Sequence, residues 1–358
     1  MKDMALGCYT VEKYLDDLEG RICEDVEDQL LSQWKTFADG KFDGDIFTPA
    51  RGIKTPAGID WPDVSVNDAL DDFELMALQQ FRGCSCVIEN NTDELMCVRA
   101  NYGTSILPSV FGAELFMMAQ ETNTLPTSRP LAGGKDAIRA LIDKGVPDIS
   151  TGLGGKVLEM GQRFVEMASR YPKIGRFVHI YHPDLQSPMD VCEILWGSSL
   201  FLDIVDEPDL VKEFLSLITK TYAKLMNAWD KIVPSLDGYA SHWSFLHKGH
   251  LLLRADSAMN FSPAMYEEFI EPYDQILLDK FGGGALHFCG RGDHYCHRFS
   301  KTQGLHAIQM SQPECNDVEV ILQNTVDLGL QLLGFSRDVA EQLLKQGRNL
   351  HGNVHCVK

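Results

Sequence analysis

A short segment around residue 287 carries the side chains best suited to metal chemistry. His287 and Cys289 stand two residues apart in the apolar run LHFCG (286–290). On a β-strand, residues i and i+2 point to the same side, so the imidazole and the thiol would lie next to each other on one face of the strand. An imidazole and a thiolate form half of a zinc site, which needs one or two further protein ligands. The segment therefore predicts a zinc site at a strand end.

Two cysteines at other strand ends compete for the third ligand position. Cys356 ends the last strand, whereas Cys315 comes just after the run LHAIQMSQ (305–312), follows a proline and would begin a helical turn. Both follow strand ends, where barrel proteins hold their ligands, and Cys315 would lie nearer to Cys289 by strand order, so the residues alone leave Cys356 and Cys315 open. Ordinary core or surface positions are expected for His294, Cys296 and His297, and His355 should point away from Cys356.

Further polar residues cluster at the ends of predicted strands, where barrel enzymes hold their substrates. Asp256 follows the run LLLR (251–254), and we predict that it orients a ligand or assists proton transfer as the catalytic residue. The residues predicted to contact the substrate are Asn101, Tyr102, His182, Gln186, His242, Gln309 and Arg337.

The elements that would position these residues alternate between short apolar runs and longer amphipathic segments. This alternation predicts a parallel α/β sheet, and the spacing of 20–25 residues after residue 285 is typical of a (β/α)8 barrel. Helices are expected at 8–38 and 64–82, with a loop at 39–63. We therefore divide the chain into an N-terminal helical segment, 1–82, packed on a barrel, 83–358.

One stretch of the predicted barrel has too little room for a crossover helix. Only seven residues separate DGYASHW (237–243) from LLLRADSA (251–258), whereas a crossover between parallel strands needs about a dozen. One of these two runs should therefore not be a barrel strand. The run CSCVIEN (84–90) is the candidate that could replace it.

Composition and charge restrict the class of protein. The 358 residues are 44% hydrophobic and 23% charged, which is typical of a globular chain. The net charge of −19 disfavours binding to nucleic acid. No apolar run reaches the roughly 18 residues of a membrane span, and the acidic start has no signal core, so we expect a cytoplasmic protein without a membrane partner. Ten cysteines are too sparse for a secreted disulfide scaffold.

Several motifs together resemble those of one protein superfamily. They are HPDLQSPMD (182–190), WG (196–197), LDIVDEPDLV (202–211), ADSAMNFSPAMYEEFIEPY (255–273), HFCG (287–290) and LHGNV (350–354). This set resembles the uroporphyrinogen decarboxylase superfamily over roughly residues 95–356, and HFCG resembles the H-x-C-G of its corrinoid-dependent methyltransferase branch. The resemblance implies a distorted (β/α)8 TIM-type barrel.

The methyltransferase branch implies a specific chemistry. Its members bind zinc through H-x-C and a later cysteine, which by chain order corresponds to His287, Cys289 and Cys356. Zinc would bind a thiol or related acceptor and lower its pKa, and the thiolate would take a methyl group from a corrinoid (cobalamin). The sequence lacks a D-x-H-x-x-G corrinoid motif, so the corrinoid would be free or carried by a partner protein. A homodimer is among the assemblies that we consider.

Two other functions stay open. The superfamily's decarboxylases act on carboxylated tetrapyrroles, and here a clamp for such a substrate or for a small acid would draw on Arg99, Arg254, Arg291 and Arg337. The R-Q-A-G-R-Y motif of those enzymes is absent from the sequence, which counts against this function. The third hypothesis is a barrel that binds a metal or ligand without catalysis, since one fold hosts many functions.

Overall fold

The computed structural model describes residues 10–357. The helices are α1 (Glu12–Arg21), α2 (Glu24–Ala38), α3 (Val66–Asp71), α4 (Phe73–Asn90), α5 (Ile106–Val110), α6 (Gly134–Lys144), α7 (Gly152–Ala168), α8 (Pro172–Phe177), α9 (Pro188–Trp196), α10 (Leu200–Asp206), α11 (Pro208–Trp229), α12 (Pro263–Phe269), α13 (Glu271–Phe281), α14 (Val318–Asn324) and α15 (Arg337–Lys345). The strands are β1 (Cys97–Val98), β2 (Leu115–Phe116), β3 (Thr127–Ser128), β4 (His179–Ile180), β5 (Tyr239–His242), β6 (Phe245–Lys248), β7 (Leu251–Arg254), β8 (Gly284–Phe288), β9 (Leu305–Met310), β10 (Gln331–Ser336) and β11 (Val354–Val357). None of the helices described within 10–357 is both long and apolar enough to cross a bilayer.

Parallel strands joined by helices form the centre of the protein, which confirms the predicted α/β class. Strands β7 to β11 make a five-stranded parallel sheet in the order β11-β10-β9-β8-β7, and β1 pairs with β4 in a second parallel sheet. Two antiparallel pairs, β2–β3 and β5–β6, complete the strands. Within 10–357 these sheets are separate hydrogen-bonded units, so the strand pairing stops short of the closed eight-stranded ring that the sequence predicts.

The five-stranded sheet is buried on both faces, and each face has its own core. On the helix face, Leu253, Leu286 and Ile308 belong to the large core built with the surrounding helices. On the opposite face, which we call the hairpin face, Leu252 and Ala285 pack into a smaller core. This core also contains Ala307, Leu333, Trp34, Phe37, Phe47, Phe245 and Leu246. Because side chains alternate along a strand, these two cores fix which residues of β8 face each way.

The β5–β6 hairpin resolves the stretch that had no room for a crossover helix. Residues 239–248 fold back on themselves, and β7 alone joins the parallel sheet. The run DGYASHW is therefore not part of that sheet, as one of the two alternatives required. The replacement candidate CSCVIEN is wrong as a strand, because it lies inside α4. The hairpin turns through Trp243 (φ 46°) and Ser244 (φ 70°), both in the left-handed region that suits a two-residue turn.

The N-terminal segment is helical but is divided differently from the prediction. The expected helix 8–38 is two helices, α1 and α2, separated at Ile22 and Cys23, and its first residues, including Cys8, lie outside the described residues. The expected helix 64–82 is also two, and Ser65 caps the first by accepting a hydrogen bond from the Asp68 N–H at 3.1 Å. The boundary placed between residues 82 and 83 falls inside α4.

Candidate metal centre

Asp256, His287 and Cys289 come together at the carboxyl ends of two neighbouring strands. In the parallel pair β7–β8, Arg254 is opposite His287, so Asp256 and Cys289 both lie just beyond the paired residues. The Nε2 atom of His287 is 3.4 Å from Asp256 Oδ1 and 3.4 Å from Cys289 Sγ. All three ligand atoms lie within 4.8 Å of one another, the one such group among residues 10–357.

Gln309 determines which nitrogen of His287 faces this group. It is opposite His287 in the β8–β9 pair, and its Oε1 accepts a hydrogen bond from the His287 Nδ1–H. The Nε2 atom is thereby turned toward Asp256 and Cys289. The Trp243 ring packs edge-on against the imidazole, with 4.8 Å between ring centroids. The imidazole is therefore held from two sides in an orientation that suits a metal ligand.

The loop that carries Asp256 is held by two residues of the segment around α9. Gln186 Nε2 donates a hydrogen bond to Asp256 Oδ2 at 3.3 Å. The buried Asp190 carboxylate accepts the backbone N–H groups of Asp256 at 3.0 Å and of Ser257 at 2.6 Å. Asp256 Oδ1 has no hydrogen-bond partner among the described residues. Gln186 fixes the second oxygen, and the first faces His287 Nε2 at 3.4 Å, where an ion could bind between them.

The electrostatic environment separates the protonation states of the neighbouring groups. Burial favours the neutral form of Asp256, but hydrogen bonding and the charge of His287 outweigh it and lower the pKa of Asp256. Burial and the negative charge of Asp256 raise the pKa of Asp190 well above its usual range. Burial and the Asp256 charge also raise the pKa of Cys289 to about 11. By itself, therefore, this environment keeps the Cys289 thiol protonated at neutral pH, and a bound cation would reverse that.

The donor set and its spacing fit a zinc ion. Imidazole nitrogen, thiolate sulfur and carboxylate oxygen are the three ligand types that zinc takes in proteins. Zinc bonds of about 2.0–2.3 Å at tetrahedral angles would separate the ligand atoms by about 3.3–3.7 Å. The two distances of 3.4 Å from His287 Nε2 fall in that range. Either a proton or a metal cation can hold these electron-rich atoms together, and three ligands leave a coordination position for a substrate.

Neither cysteine considered as the third ligand belongs to this group. Cys356 is opposite Phe335, and both lie in the core of the helix face, where Cys356 is fully buried. The register of β10 and β11 shifts between Leu332 and Phe335, and strand alternation sends His355 rather than Cys356 toward the rings of the hairpin face. Cys315 is exposed on a short turn. The third residue of the group is Asp256, which the sequence predicts as the catalytic residue.

Among the residues predicted to contact the substrate, Gln186 and Gln309 touch the group directly. His182 and His242 lie together elsewhere, with 4.2 Å between ring centroids. His182 is held by the Pro183 carbonyl and the Leu252 N–H, at 2.8 and 3.0 Å. His242 Nδ1 is 2.8 Å from His247 Nε2. These buried rings form a second cluster, which joins His242 at the end of β5 and His247 on β6 to the backbone of Leu252 on β7 through His182.

The other three predicted substrate residues show no contact with the group. Tyr102 is 1% exposed and packs in the helix-face core. Asn101 is also buried, and its Oδ1 has no hydrogen-bond partner among the described residues. Arg337 is exposed to half its area and pairs with Glu341 at 2.8 Å on the same helix.

All four arginines considered as carboxylate clamps already have acidic partners. Arg99 and Arg254 both bind the buried carboxylate of Asp184, one on each oxygen. Arg291 pairs with Asp293 at 2.7 Å, and Arg337 pairs with Glu341. Asp184 and Asp190 were not assigned a role from the sequence. Their position in HPDLQSPMD, directly before and within the start of α9, is the signal that could have identified them.

Comparisons with known proteins give one line of support for the architecture. No protein-family model matches the sequence, and no curated protein matches it either. A solved structure, a "methyltransferase from Methanosarcina mazei", superposes with a TM-score of 0.62 at 16% sequence identity. The match covers 91% of this chain and 92% of the other. At this identity, the likeness extends to the fold.

Proposed function

We propose that the protein is a zinc-dependent methyltransferase-like enzyme that moves a methyl group between a corrinoid and a thiol or related acceptor. The observation that carries the proposal is the group Asp256, His287 and Cys289, with both distances from His287 Nε2 at 3.4 Å. The methyltransferase from Methanosarcina mazei with the same overall architecture supports the reaction class. The H-x-C-G motif supports the same branch.

Each residue of the group has a separate task in this proposal. His287, Cys289 and Asp256 would hold the ion, which when bound supplies a Lewis acid that lowers the pKa of a coordinated thiol. Gln309 orients His287, and Gln186 and Asp190 hold the loop of Asp256. Asp256 Oδ2, already bonded to Gln186, can accept a proton from the incoming acceptor. Asn101, Tyr102, His182, His242 and Arg337 stay predictions as substrate contacts.

Several finer features belong to the same proposal. We propose that the two parallel sheets are parts of a distorted (β/α)8 barrel whose carboxyl-end mouth receives the corrinoid. The corrinoid would arrive free or on a partner protein. The homodimer and the cytoplasmic location stay predictions from the sequence. Cys356, the third ligand predicted from the sequence, is the alternative to Asp256, and single substitutions distinguish the two.

The decarboxylase hypothesis has less support. A clamp for several carboxylates needs unpaired arginines, and the four candidates are bound to Asp184, Asp293 and Glu341. A non-catalytic metal-binding barrel would share the metal group but not the reaction.

Metal content and a methyl-transfer assay test the proposal together. Purified protein should contain about one zinc per chain and should transfer methyl from methylcobalamin to at least one of a panel of thiols. Zinc without transfer to any thiol would favour the non-catalytic barrel. Protein that binds no zinc after incubation with the ion and removal of excess would refute the proposed metal centre.

A further inference from the structure

A cavity of about 440 Å³ lies beside the proposed metal centre. Its wall includes Gln186, Asp190 and Asp256, which also support or form the centre, and Glu193 from the next turn of α9. Ile194 and Phe201 give it an apolar side. The volume is sufficient for a small organic molecule next to Asp256.

The ionisable groups in this wall are carboxyl groups, and they stand beside the hydroxyls of Ser128, Ser198 and Ser257 and the amide of Asn260, which can donate or accept. Gln186 is 4% exposed, and its amide nitrogen is used by Asp256, while its Oε1 has no hydrogen-bond partner among residues 10–357. A buried carbonyl oxygen without a partner is costly unless a ligand or water donates to it. Both Asp190 oxygens already accept backbone N–H groups. Asp256 Oδ1 and Ser128 Oγ also lack a partner among the described residues, but the proposed metal would use the former and a hydroxyl can also donate, so Gln186 Oε1 is the pure acceptor left for a ligand.

The charge of the cavity has one sign. Three carboxyl groups line it, and no lysine, arginine or histidine among the described residues does. Glu193 has no ion pair or side-chain hydrogen bond in the described part of the chain, so its charge is uncompensated. If a zinc ion were bound, its two positive charges would be matched by Asp256 and the Cys289 thiolate. The negative charge of Glu193 would then still face the cavity.

We propose that this cavity binds a small organic cation of the alkylammonium class. The ammonium N–H groups would donate to Gln186 Oε1 and pair with Glu193, and the alkyl part would pack on Ile194 and Phe201. An aromatic ring beside a cation adds a further attraction. The inference rests on the proposed function in that it places this cation, as substrate or substrate part, next to the methyl-transfer centre.

Three probes of equal size and different charge test the cavity. Binding of n-propylammonium, 1-propanol and propionate to the full-length protein would be measured by isothermal titration calorimetry at constant ionic strength. The ammonium probe should bind at least about 10-fold more tightly than the alcohol, and propionate should not bind. Equal or tighter binding of propionate would overturn the proposal.

Matched variants connect the binding to this wall. Glu193→Gln should weaken n-propylammonium about 3- to 10-fold, and Gln186→Met should also weaken it, whereas Glu213→Gln, an exposed glutamate on α11, should leave it unchanged. Equal effects of Glu193→Gln and Glu213→Gln would show that the ammonium probe responds only to the general surface charge, and this would refute the site. Failure of the metal centre would appear as missing zinc with ammonium binding intact. Zinc and methyl transfer without ammonium binding would refute only this inference.

Discussion

His287 and Gln309 are opposite one another on β8 and β9, and the hydrogen bond between them leaves His287 Nε2 facing Asp256 and Cys289. A ligand imidazole that is oriented by its other nitrogen is a common arrangement in metal sites. The pairing of two strands thus determines the direction of a side chain at the proposed metal centre.

Replacing Gln309 should therefore weaken metal binding without removing a ligand. Gln309→Leu removes the acceptor for His287 Nδ1–H, and we expect zinc affinity to fall about 10- to 100-fold. Gln309→Glu keeps an oxygen in place and should retain most of the affinity. Competition with a chromophoric chelator measures both. Equal affinities for wild type and Gln309→Leu would show that the hydrogen bond does not orient the ligand.

The third ligand can be identified by single substitutions. Asp256→Asn and Cys289→Ser should each reduce zinc content strongly, because a three-ligand site tolerates few losses. Cys356→Ser should leave it unchanged, since Cys356 lies in the helix-face core, and Cys315→Ser serves as an exposed control. Metal analysis after dialysis gives the answer. Zinc lost in Cys356→Ser but kept in Asp256→Asn would restore the cysteine predicted from the sequence.

Asp274 should make the protein less stable as the pH rises. Burial and the charge of Glu271 raise its pKa to about 8 against the lowering effect of the nearby Ser187 hydroxyl, and neither carboxyl oxygen has a partner at hydrogen-bond geometry within 10–357. The folded state therefore holds a proton that the unfolded chain has released above about pH 4. Below about pH 4 both states are protonated and Asp274 does not lower the free energy of unfolding. As the pH rises from there toward 8, the free energy of unfolding falls.

Asp274→Asn removes this titration and should gain at least about 1 kcal/mol of unfolding free energy over wild type at pH 8. At pH 4 the two proteins should differ less. Urea unfolding at both pH values measures the difference, with Asp279→Asn as a control on the same helix, α13. A gain that is the same at pH 4 and pH 8 would mean that Asp274 does not titrate between them.

Among the acidic partners of the four arginines considered as clamps, Asp184 should contribute most to the stability of the fold. It is 6% exposed and is the shared acidic partner of Arg99 and of the buried Arg254. Asp184→Ala would leave a buried guanidinium unpaired, which typically costs about 3–5 kcal/mol. Arg337→Ala, which breaks an exposed pair within one helix, should change the free energy of unfolding far less, because solvent screens that pair. Chemical denaturation compares the two, and similar losses would contradict the difference in burial.

The sequence predicted the parts of the site that depend on local pattern. The i, i+2 spacing placed His287 and Cys289 on one side of β8, and the strand–helix alternation gave the parallel sheet. The neighbour that completes the group depends on register between strands that are distant in the chain. Asp256 meets His287 because Arg254 and His287 are opposite one another. Cys356 lies on the other face of the sheet because Val354, two residues before it on β11, pairs with Leu332 and packs in the helix-face core, and this pairing between distant segments is not visible in the local pattern.

The position of Phe47 limits where the chain can be truncated. Its backbone pairs with β11, donating to Val354 O at 2.9 Å and accepting from Cys356 N at 3.1 Å, and its ring belongs to the hairpin-face core. It therefore covers the outer edge of the five-stranded sheet. A protein that lacks residues 1–82 would expose that edge, and an open strand edge is a template for pairing between molecules. The helical N-terminal segment thus also protects the sheet against aggregation and cannot be treated as a removable appendage.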